Sequence, residues 1–338
     1  MDDYHYFDMM PREIFDYIIL LIEIKVFDLC QINKYINNRC KIIKIRDNFT
    51  YPFLKDVNII TLINITSLDL SDNLSITDYG IKKLTQLTYL NLSCNELITD
   101  KSIRKLFNLK YLILTNNDLI SDNGIENLTN LEYLKLNHYH KYSKNFNFIS
   151  NNITDNCLKK LTNLTYLNLN KNDNITSDGL KELTNHTSLN LRDNSSINDY
   201  GIKGLINLTS LNLNYNESIT NDGIKELTNL KKLKIVCDID NNGIKQLTNL
   251  EVLGLYGNDK VTDYGLRNLT NLKSLNLYNN EKITGFGLKF LTNLTHLDLS
   301  YNYMITNKNL KRLTNLNSIN LCRAYRINRR LIRCKIIS

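Results

Sequence analysis

A leucine pair in the form Leu-x-Leu returns along most of the chain, beginning at Leu68, Leu90, Leu112, Leu134, Leu167, Leu189, Leu211, Leu233, Leu253, Leu275 and Leu297, with Ile319 in the same place at the end. Nine of the eleven steps are 22 residues; Leu233 to Leu253 is 20 and Leu134 to Leu167 is 33. A unit this short cannot hide its own leucines. Stacked copies can, because each turn covers its neighbour, so the register demands a solenoid. A degenerate thirteenth unit begins at Ile43, where Ile43-Lys44-Ile45-Arg46-Asp47-Asn48 keeps the same form.

The stretch Leu164 to Leu183, LTYLNLNKNDNITSDGLKEL, contains every part of the unit. Its alternation around Leu167 and Leu169 predicts a short strand with leucines inward and the other side chains in solvent. An asparagine follows the strand at positions 73, 95, 117, 172, 194, 216, 258, 280 and 302. The chain must turn inward there, and a buried carboxamide can donate and accept for the stranded backbone groups. Tyr139, Asp238 and Ala324 take that slot in three units. In the return half, Thr77, Thr99, Thr154, Thr220, Thr262, Thr284 and Thr306 stand where a helix N-cap is expected. Apolar residues such as Ile81 and Leu84, or Leu180 and Leu183, share one face of a short helix. Glycines 80, 124, 179, 201, 223, 243, 265 and 287 recur in its first turn as a backbone-packing feature, not a phosphate cradle. The recurrent aspartates at these helix starts are read as complements of the helix dipole.

These residues resemble the leucine-rich-repeat superfamily over roughly residues 43–330. The resemblance implies an α/β solenoid of about 12–13 repeats with a parallel sheet on its concave face. The strand half, LTNLTYLNL, is similar to the repeats of bacterial internalins, whereas the return half, ITDxGL, resembles F-box leucine-rich-repeat proteins. The latter typically carry a cysteine after the strand, which this chain mostly lacks. Internalins carry secretion and wall-anchoring signals, none of which is visible here, so the intracellular comparison fits better.

Residues 9–38 do not follow the repeat and predict three short amphipathic helices. Pro11 suits the first turn of one, and Ile14, Ile18, Leu21 and Ile22 fall on one face. The run Pro11-Arg12-Glu13-Ile14-Phe15 is similar to the opening of an F-box, with Met10 replacing its leucine. Asp28-Leu29 followed by Asn33-Lys34 resembles a later stretch of that family, though Tyr35 and Ile36 stand where a tryptophan is usual. The resemblance implies docking on a Skp1-like adaptor of a cullin–RING ubiquitin ligase, with Pro11, Ile14, Phe15 and Ile18 in contact. The residues alone fit equally a helical cap over the first repeat. The chain thus divides into an F-box-like segment or cap at 1–40, a solenoid at 41–322 with an insertion at 137–152, and a basic end-cap at 323–338.

The net charge of +8 misleads as an average, because Arg323, Arg326, Arg329, Arg330, Arg333 and Lys335 end the chain without an acid. The body is near balance, which speaks against a nucleic-acid partner. Seven scattered cysteines contain no Cys-x-x-Cys pair and fit reduced thiols in the cytoplasm. The early apolar run from Tyr17 to Ile22 is too short for a membrane span and lacks the flanks of a signal peptide, so no membrane partner is expected. The Asn-x-Thr sequons, such as Asn64-Ile65-Thr66 and Asn163-Leu164-Thr165, read as by-products of the repeat. Nuclear targeting by the basic end is a secondary reading. The bias toward asparagine, isoleucine, lysine and tyrosine resembles proteins of AT-rich protists and of giant viruses that infect amoebae.

No nucleophile elbow, P-loop or paired-histidine zinc motif is present, and the five histidines are scattered, so no catalytic residue, cofactor or metal is expected. A metal site from His138, His140 and Cys157 is poorly spaced. What remains is binding. The position before each Leu-x-Leu pair carries Tyr89, Tyr111, Tyr133 and Tyr166 in four consecutive units. Further along, Lys232 and Lys234 precede Tyr256 and Tyr278. Tyrosine offers broad apolar contact with a polar tip, so these residues form the expected partner site, with sheet stabilisation as the competing role. Two functions follow: the substrate-recognition subunit of a Skp1–cullin–F-box ubiquitin ligase, or a stand-alone scaffold or signalling regulator.

Overall fold

The computed structural model describes residues 42–44, 56–60, 62–138, 152–236, 238–332 and 334–337. The chain forms two compact units, Met1–Leu164 and Thr165–Ser338. Residues 9–38, and with them Pro11, Ile14, Phe15 and Ile18, lie outside the described residues.

In the first unit, strands Ile42–Lys44 (β1), Ser67–Asp69 (β2), Tyr89–Asn91 (β3), Tyr111–Ile113 (β4) and Tyr133–Lys135 (β5) pair in parallel in chain order. The register sets Ile43 against Leu68, Leu68 against Leu90, Leu90 against Leu112 and Leu112 against Leu134. The thirteenth unit expected at Ile43 therefore supplies a paired strand.

The second unit continues the pattern with Tyr166–Asn168 (β6), Ser188–Asn190 (β7), Ser210–Leu213 (β8), Lys232–Ile235 (β9), Val252–Gly254 (β10), Ser274–Asn276 (β11), His296–Asp298 (β12) and Ser318–Asn320 (β13). A further strand, Lys335–Ile337 (β14), pairs with β13 and sets Ile336 opposite Ile319. This strand falls inside the segment read from the sequence as a basic end-cap, residues 323–338.

Twelve four-residue helices lie among the described residues, one per turn: Asp56–Ile59 (α1), Asp78–Ile81 (α2), Asp100–Ile103 (α3), Asp122–Ile125 (α4) and Asp155–Leu158 (α5) in the first unit, and Ser177–Leu180 (α6), Asp199–Ile202 (α7), Asn221–Ile224 (α8), Asn241–Ile244 (α9), Asp263–Leu266 (α10), Gly285–Leu288 (α11) and Asn307–Leu310 (α12) in the second. Such short helices gain nothing from propensity and persist because the turn is packed. Leu68, Leu70, Leu90, Leu92, Ile81 and Leu84 are fully buried, and their equivalents from β2 to β13 are buried too. Each contributes roughly 1.5–3 kcal/mol. Among the described residues no helix is long and apolar enough to cross a membrane.

Three hydrogen-bond ladders lock successive turns. The inner one is the expected asparagine series. Asn280 Nδ2 donates to the Asn258 carbonyl at 2.6 Å, while its Oδ1 accepts from Lys282 N at 3.1 Å and Ile283 N at 3.0 Å. The residue before it takes a left-handed backbone, as at Asp72, Cys94, Tyr215, Asn279, Tyr301 and Arg323, with φ between 50° and 58°.

The second ladder gives the helix-start aspartates a further role. Asp78 of α2 accepts from Thr99 N at 2.8 Å and from Thr99 Oγ1 at 2.6 Å, and Thr99 is the N-cap of the next helix. Asp100 with Ser121, Asp199 with Thr220 and Asp263 with Thr284 repeat the contact. The glycine three places after the next cap residue is what makes room. A β-carbon on Gly287 would lie 2.5 Å from Asp263 Oδ1, and one on Gly80 would lie 2.6 Å from Asp56 Oδ1. Ser102 occupies this slot without conflict by donating its hydroxyl to Asp78 Oδ1 at 2.6 Å.

The third ladder explains the sequons. Asn163 Nδ2 donates to the Thr129 carbonyl at 2.8 Å, Asn207 to Thr184 at 3.0 Å and Asn293 to Thr270 at 2.9 Å. The asparagine of Leu-Thr-Asn-Leu is thus an external staple between turns.

Candidate functional site

The strand face exposes what the ladders do not use. Alternation along Lys232–Ile235 is typical: Lys232 and Lys234 are exposed, Leu233 and Ile235 buried. Function must therefore be read from the solvent-facing columns of each unit.

In the first unit, register places Tyr89 beside Tyr111 and Tyr111 beside Tyr133. The Tyr111 and Tyr133 rings lie 5.7 Å apart at 39°, and Lys135 Nζ stands 5.6 Å from the Tyr133 ring. Tyr111 stays 42% exposed, so the contact leaves surface free for a partner. At the strand entrance Lys110 and Glu132 pair at 2.7 Å. The Lys110 ammonium titrates above its ordinary value because Glu132 accepts its hydrogen bond. Both groups are open to solvent, so the pair sets local charge pattern and not stability.

Tyr166 belongs to the second unit. Its register neighbour is Ser188, followed by Ser210 and then Lys232. The tyrosine column therefore gives way to serine there.

Tyr256 and Tyr278 occupy a different column from Tyr89, since they follow the Leu-x-Leu pair and do not precede it. Their rings stack at 4.5 Å and 17°. Tyr301 joins them, 5.0 Å from Tyr278 at 45°, and the Arg323 guanidinium lies 5.3 Å from the Tyr301 ring. Desolvation by these neighbours raises the Tyr278 phenol above its ordinary value, keeping it a neutral donor. Tyr301 and Arg323 were not among the expected site residues. Each directly precedes the inward-turning slot and holds φ of 57° and 54°, a conformation bulky residues seldom adopt. The position was readable as the one before Asn302 and Ala324. Its outward direction was not.

Gly254 stands opposite Lys234 in the register. The stem of Lys234 lies along this backbone, its Cγ 3.4 Å from where a Gly254 β-carbon would stand, while Lys232 stands beside Val252. An exposed cationic pair, a backbone floor and a four-member aromatic–guanidinium file lie together on one face of one unit. Elsewhere in this unit, a hollow of about 740 Å³ is lined by Asn249, Asn271, Asn293 and the Lys273–Glu251 pair. Its amides are already committed to the outer ladder.

His186 is the one histidine among the described residues that is fully buried. It fills the slot that holds Leu164 and Leu208 in other repeats. Nδ1 lies 2.9 Å from the Leu183 carbonyl, and Nε2 has no hydrogen-bond partner. Cys157 is buried in a glycine slot, and burial pushes its thiol up to about 12, which leaves it unreactive. His140 and most of the insertion lie outside the described residues. Among the described residues no three His, Cys, Asp or Glu side chains stand close enough to share a metal.

Six segments, residues 61–85, 83–107, 105–129, 160–183, 204–228 and 290–313, match the leucine-rich-repeat family model. No curated protein sequence matches the chain. Among solved structures, a leucine-rich-repeat protein of Leptospira interrogans is similar at 23% identity and a TM-score of 0.60, over 90% of this chain and 92% of that one. An internalin of Listeria monocytogenes aligns at 23% identity and 0.58, over 88% and 94%. A chain from the yeast complex of Rad7 and Elc1 aligns at 19% identity and 0.58, over 96% and 91%. These likenesses show the fold, that of a leucine-rich-repeat solenoid.

Proposed function

We propose that this leucine-rich-repeat chain is a non-catalytic protein-binding scaffold that takes its partner on the solvent face of its strands. The observation that carries the reading is the file Tyr256–Tyr278–Tyr301–Arg323, with Lys232 and Lys234 exposed on the strand paired with β10. Tyrosine and arginine dominate binding energy at protein interfaces because they bring large rigid area with polar tips. Among the described residues, the ladders already use the buried asparagines and most helix-start aspartates as structural fastenings.

The finer reading is a substrate receptor. Residues 9–38 would grip a Skp1-like adaptor through Pro11, Ile14, Phe15 and Ile18, and the strand face would hold the protein to be ubiquitinated. Such a subunit acts by raising effective concentration, so it needs no catalytic group of its own. Support comes from the Pro11–Phe15 motif, and from the yeast match, which is a chain solved in a protein complex.

Binding of the full chain to purified Skp1 tests the finer reading, with Ile14→Asp plus Phe15→Asp as the paired variant. The expected result is a complex that the double substitution abolishes while the melting temperature of the repeats is unchanged. Failure of the intact chain to bind Skp1 leaves the stand-alone scaffold as the function.

A further inference from the structure

The helix side of the second unit changes character along its length. Of its first four helices, α6 presents Asp178 and Glu182 and α8 presents Asp222 and Glu226 beside lysines, whereas α7 and α9 hold no acid at those places. Two of those lysines are already paired, Lys181 with Asp178 at 3.0 Å and Lys225 with Asp222 at 2.6 Å. From α10 onward the equivalent positions carry no acid. They carry Arg267, Lys289, Lys308, Lys311, Arg312 and Arg330, all exposed. Asp263, the acid that opens α10, is turned to Thr284 by the second ladder. The remaining carboxylates of these repeats sit in the strand half or in the turn that leads to the helix.

Apolar side chains stand among these cations. Phe286 is 75% exposed, Leu331 66%, Tyr264 54% and Phe290 42%. Tyr264 and Phe286 occupy the same place in successive helices, and Lys308 and Arg330 continue that column. A phenylalanine has no hydrogen-bonding group to justify its place in water, and α11 with the residues that follow it holds two.

We propose that this face, from α10 to Leu331, is a docking surface for an anionic membrane. Six unopposed cations match the negative potential of a leaflet containing acidic lipid, and Phe286, Phe290 and Leu331 are placed to enter the headgroup–acyl boundary. The sequence expectation of no membrane partner rested on the absence of a span, and a peripheral contact needs none. The ring geometry disfavours nucleic acid as the occupant. Lys289 Nζ lies 4.5 Å from the Phe290 ring and 6.0 Å from Phe286, and the Arg267 guanidinium lies 5.4 Å from Tyr264, so each ring already has a cation of its own turn near it. Stacking of bases needs open ring faces. Insertion into lipid uses the ring edge and lets the flanking lysine reach the phosphates. The surface lies on the helix side, away from the strand face proposed to bind protein.

Sedimentation of the full chain with vesicles tests this. Phosphatidylcholine vesicles containing about 30% phosphatidylserine are compared with pure phosphatidylcholine at about 0.15 M salt. The expected result is binding to the acidic vesicles at least about ten-fold tighter than to neutral ones, released by about 1 M salt. Lys289→Glu with Lys311→Glu and Arg312→Glu should weaken it about a hundred-fold or more. Phe286→Ser with Phe290→Ser should weaken it about ten-fold and leave the salt dependence. Lys203→Glu with Lys245→Glu, on the same side of earlier repeats, should change nothing. Far-ultraviolet circular dichroism checks each fold, and the phenylalanine pair, being exposed, decides the matter if the charge variant unfolds. Equal affinity for both vesicles, or equal loss from the control pair, overturns the proposal. So does binding of a single-stranded RNA oligonucleotide through these cations without vesicle binding.

Discussion

The carboxamide of Asn309 fills the space that a side chain at residue 285 would need: a β-carbon added to Gly285 would collide with Asn309 Nδ2. In most other turns the helix-start position holds an acid or amide, and the next turn answers with a glycine, as Asp263 does with Gly287. Here the order is reversed. Asn309 Oδ1 accepts from Thr306 N and Thr306 Oγ1, both at 2.9 Å, and so serves the cap that the preceding turn usually serves. Gly285→Asp alone should destabilise the chain by about 1–3 kcal/mol, and Asn309→Gly alone by about 1 kcal/mol through the orphaned threonine. Together they recreate the common pair, so the double variant should recover most of the loss. Urea unfolding read as a double-mutant cycle checks this, and simple additivity of the two losses counts against it.

His186 makes the fold sensitive to acid. Burial lowers its imidazole to about 4 from an ordinary 6.5, so the unfolded chain takes up a proton that the folded one refuses. The stability linked to this group is complete above pH 6.5 and is lost as pH falls toward 4. The full loss is on the order of 3 kcal/mol. His186→Leu restores the residue found at Leu164 and Leu208. Thermal melting between pH 4 and pH 7 should show a flatter profile for that variant and a higher melting temperature at the acid end.

The inner asparagines should not tolerate truncation. Asn280→Ala removes a donor to the Asn258 carbonyl and the acceptor for Lys282 N and Ile283 N. The cost expected is about 1–3 kcal/mol. Asn271→Ala, in the exposed outer ladder, should cost under about 1 kcal/mol, since water replaces the lost bond. A comparison of urea midpoints separates the two ladders.

The tyrosine clusters should behave in the opposite way. Tyr111→Ala with Tyr133→Ala, and separately Tyr256→Ala with Tyr278→Ala, remove rings from the solvent face and not from the leucine core. Each pair should shift stability by less than about 2 kcal/mol while weakening a bound protein partner at least about ten-fold. Calorimetric melting alongside affinity measurement decides it, and unchanged affinity in both pairs would remove the strand face as the binding surface.

The leucine register and the inner asparagine slot were legible because burial repeats at one sequence position in every turn. The bridge from Asp263 to Thr284 was not, since it joins residues 21 apart and the local sequence offers a sufficient reason for each. The helix dipole accounts for the aspartate and the cap for the threonine. The outer asparagines looked like sequons because the bond that explains Asn207 ends on a carbonyl 23 residues earlier. Tyr301 and Arg323 escaped notice because the left-handed position carries no residue signature: cysteine, lysine, aspartate and tyrosine all occupy it. Tyr256 and Tyr278 were legible one by one; that their rings stack at 4.5 Å was not, because they stand 22 residues apart.

The long step between Leu134 and Leu167 shows what the fold measures. Across it, Asp122 still accepts from Thr154 N at 2.7 Å, now 32 residues away in place of 21, and Asn163 still reaches Thr129, 34 away in place of about 23. Lys160 pairs with Glu126 across the same gap at 2.5 Å. Each turn is therefore checked at its fastenings, and the length of thread between the strand exit and the next cap goes unmeasured. Such a gap gives a lineage a place to try new sequence without renegotiating the core. It gives an engineer a site where a tag or a binding loop can be spliced while the turns on either side close as before.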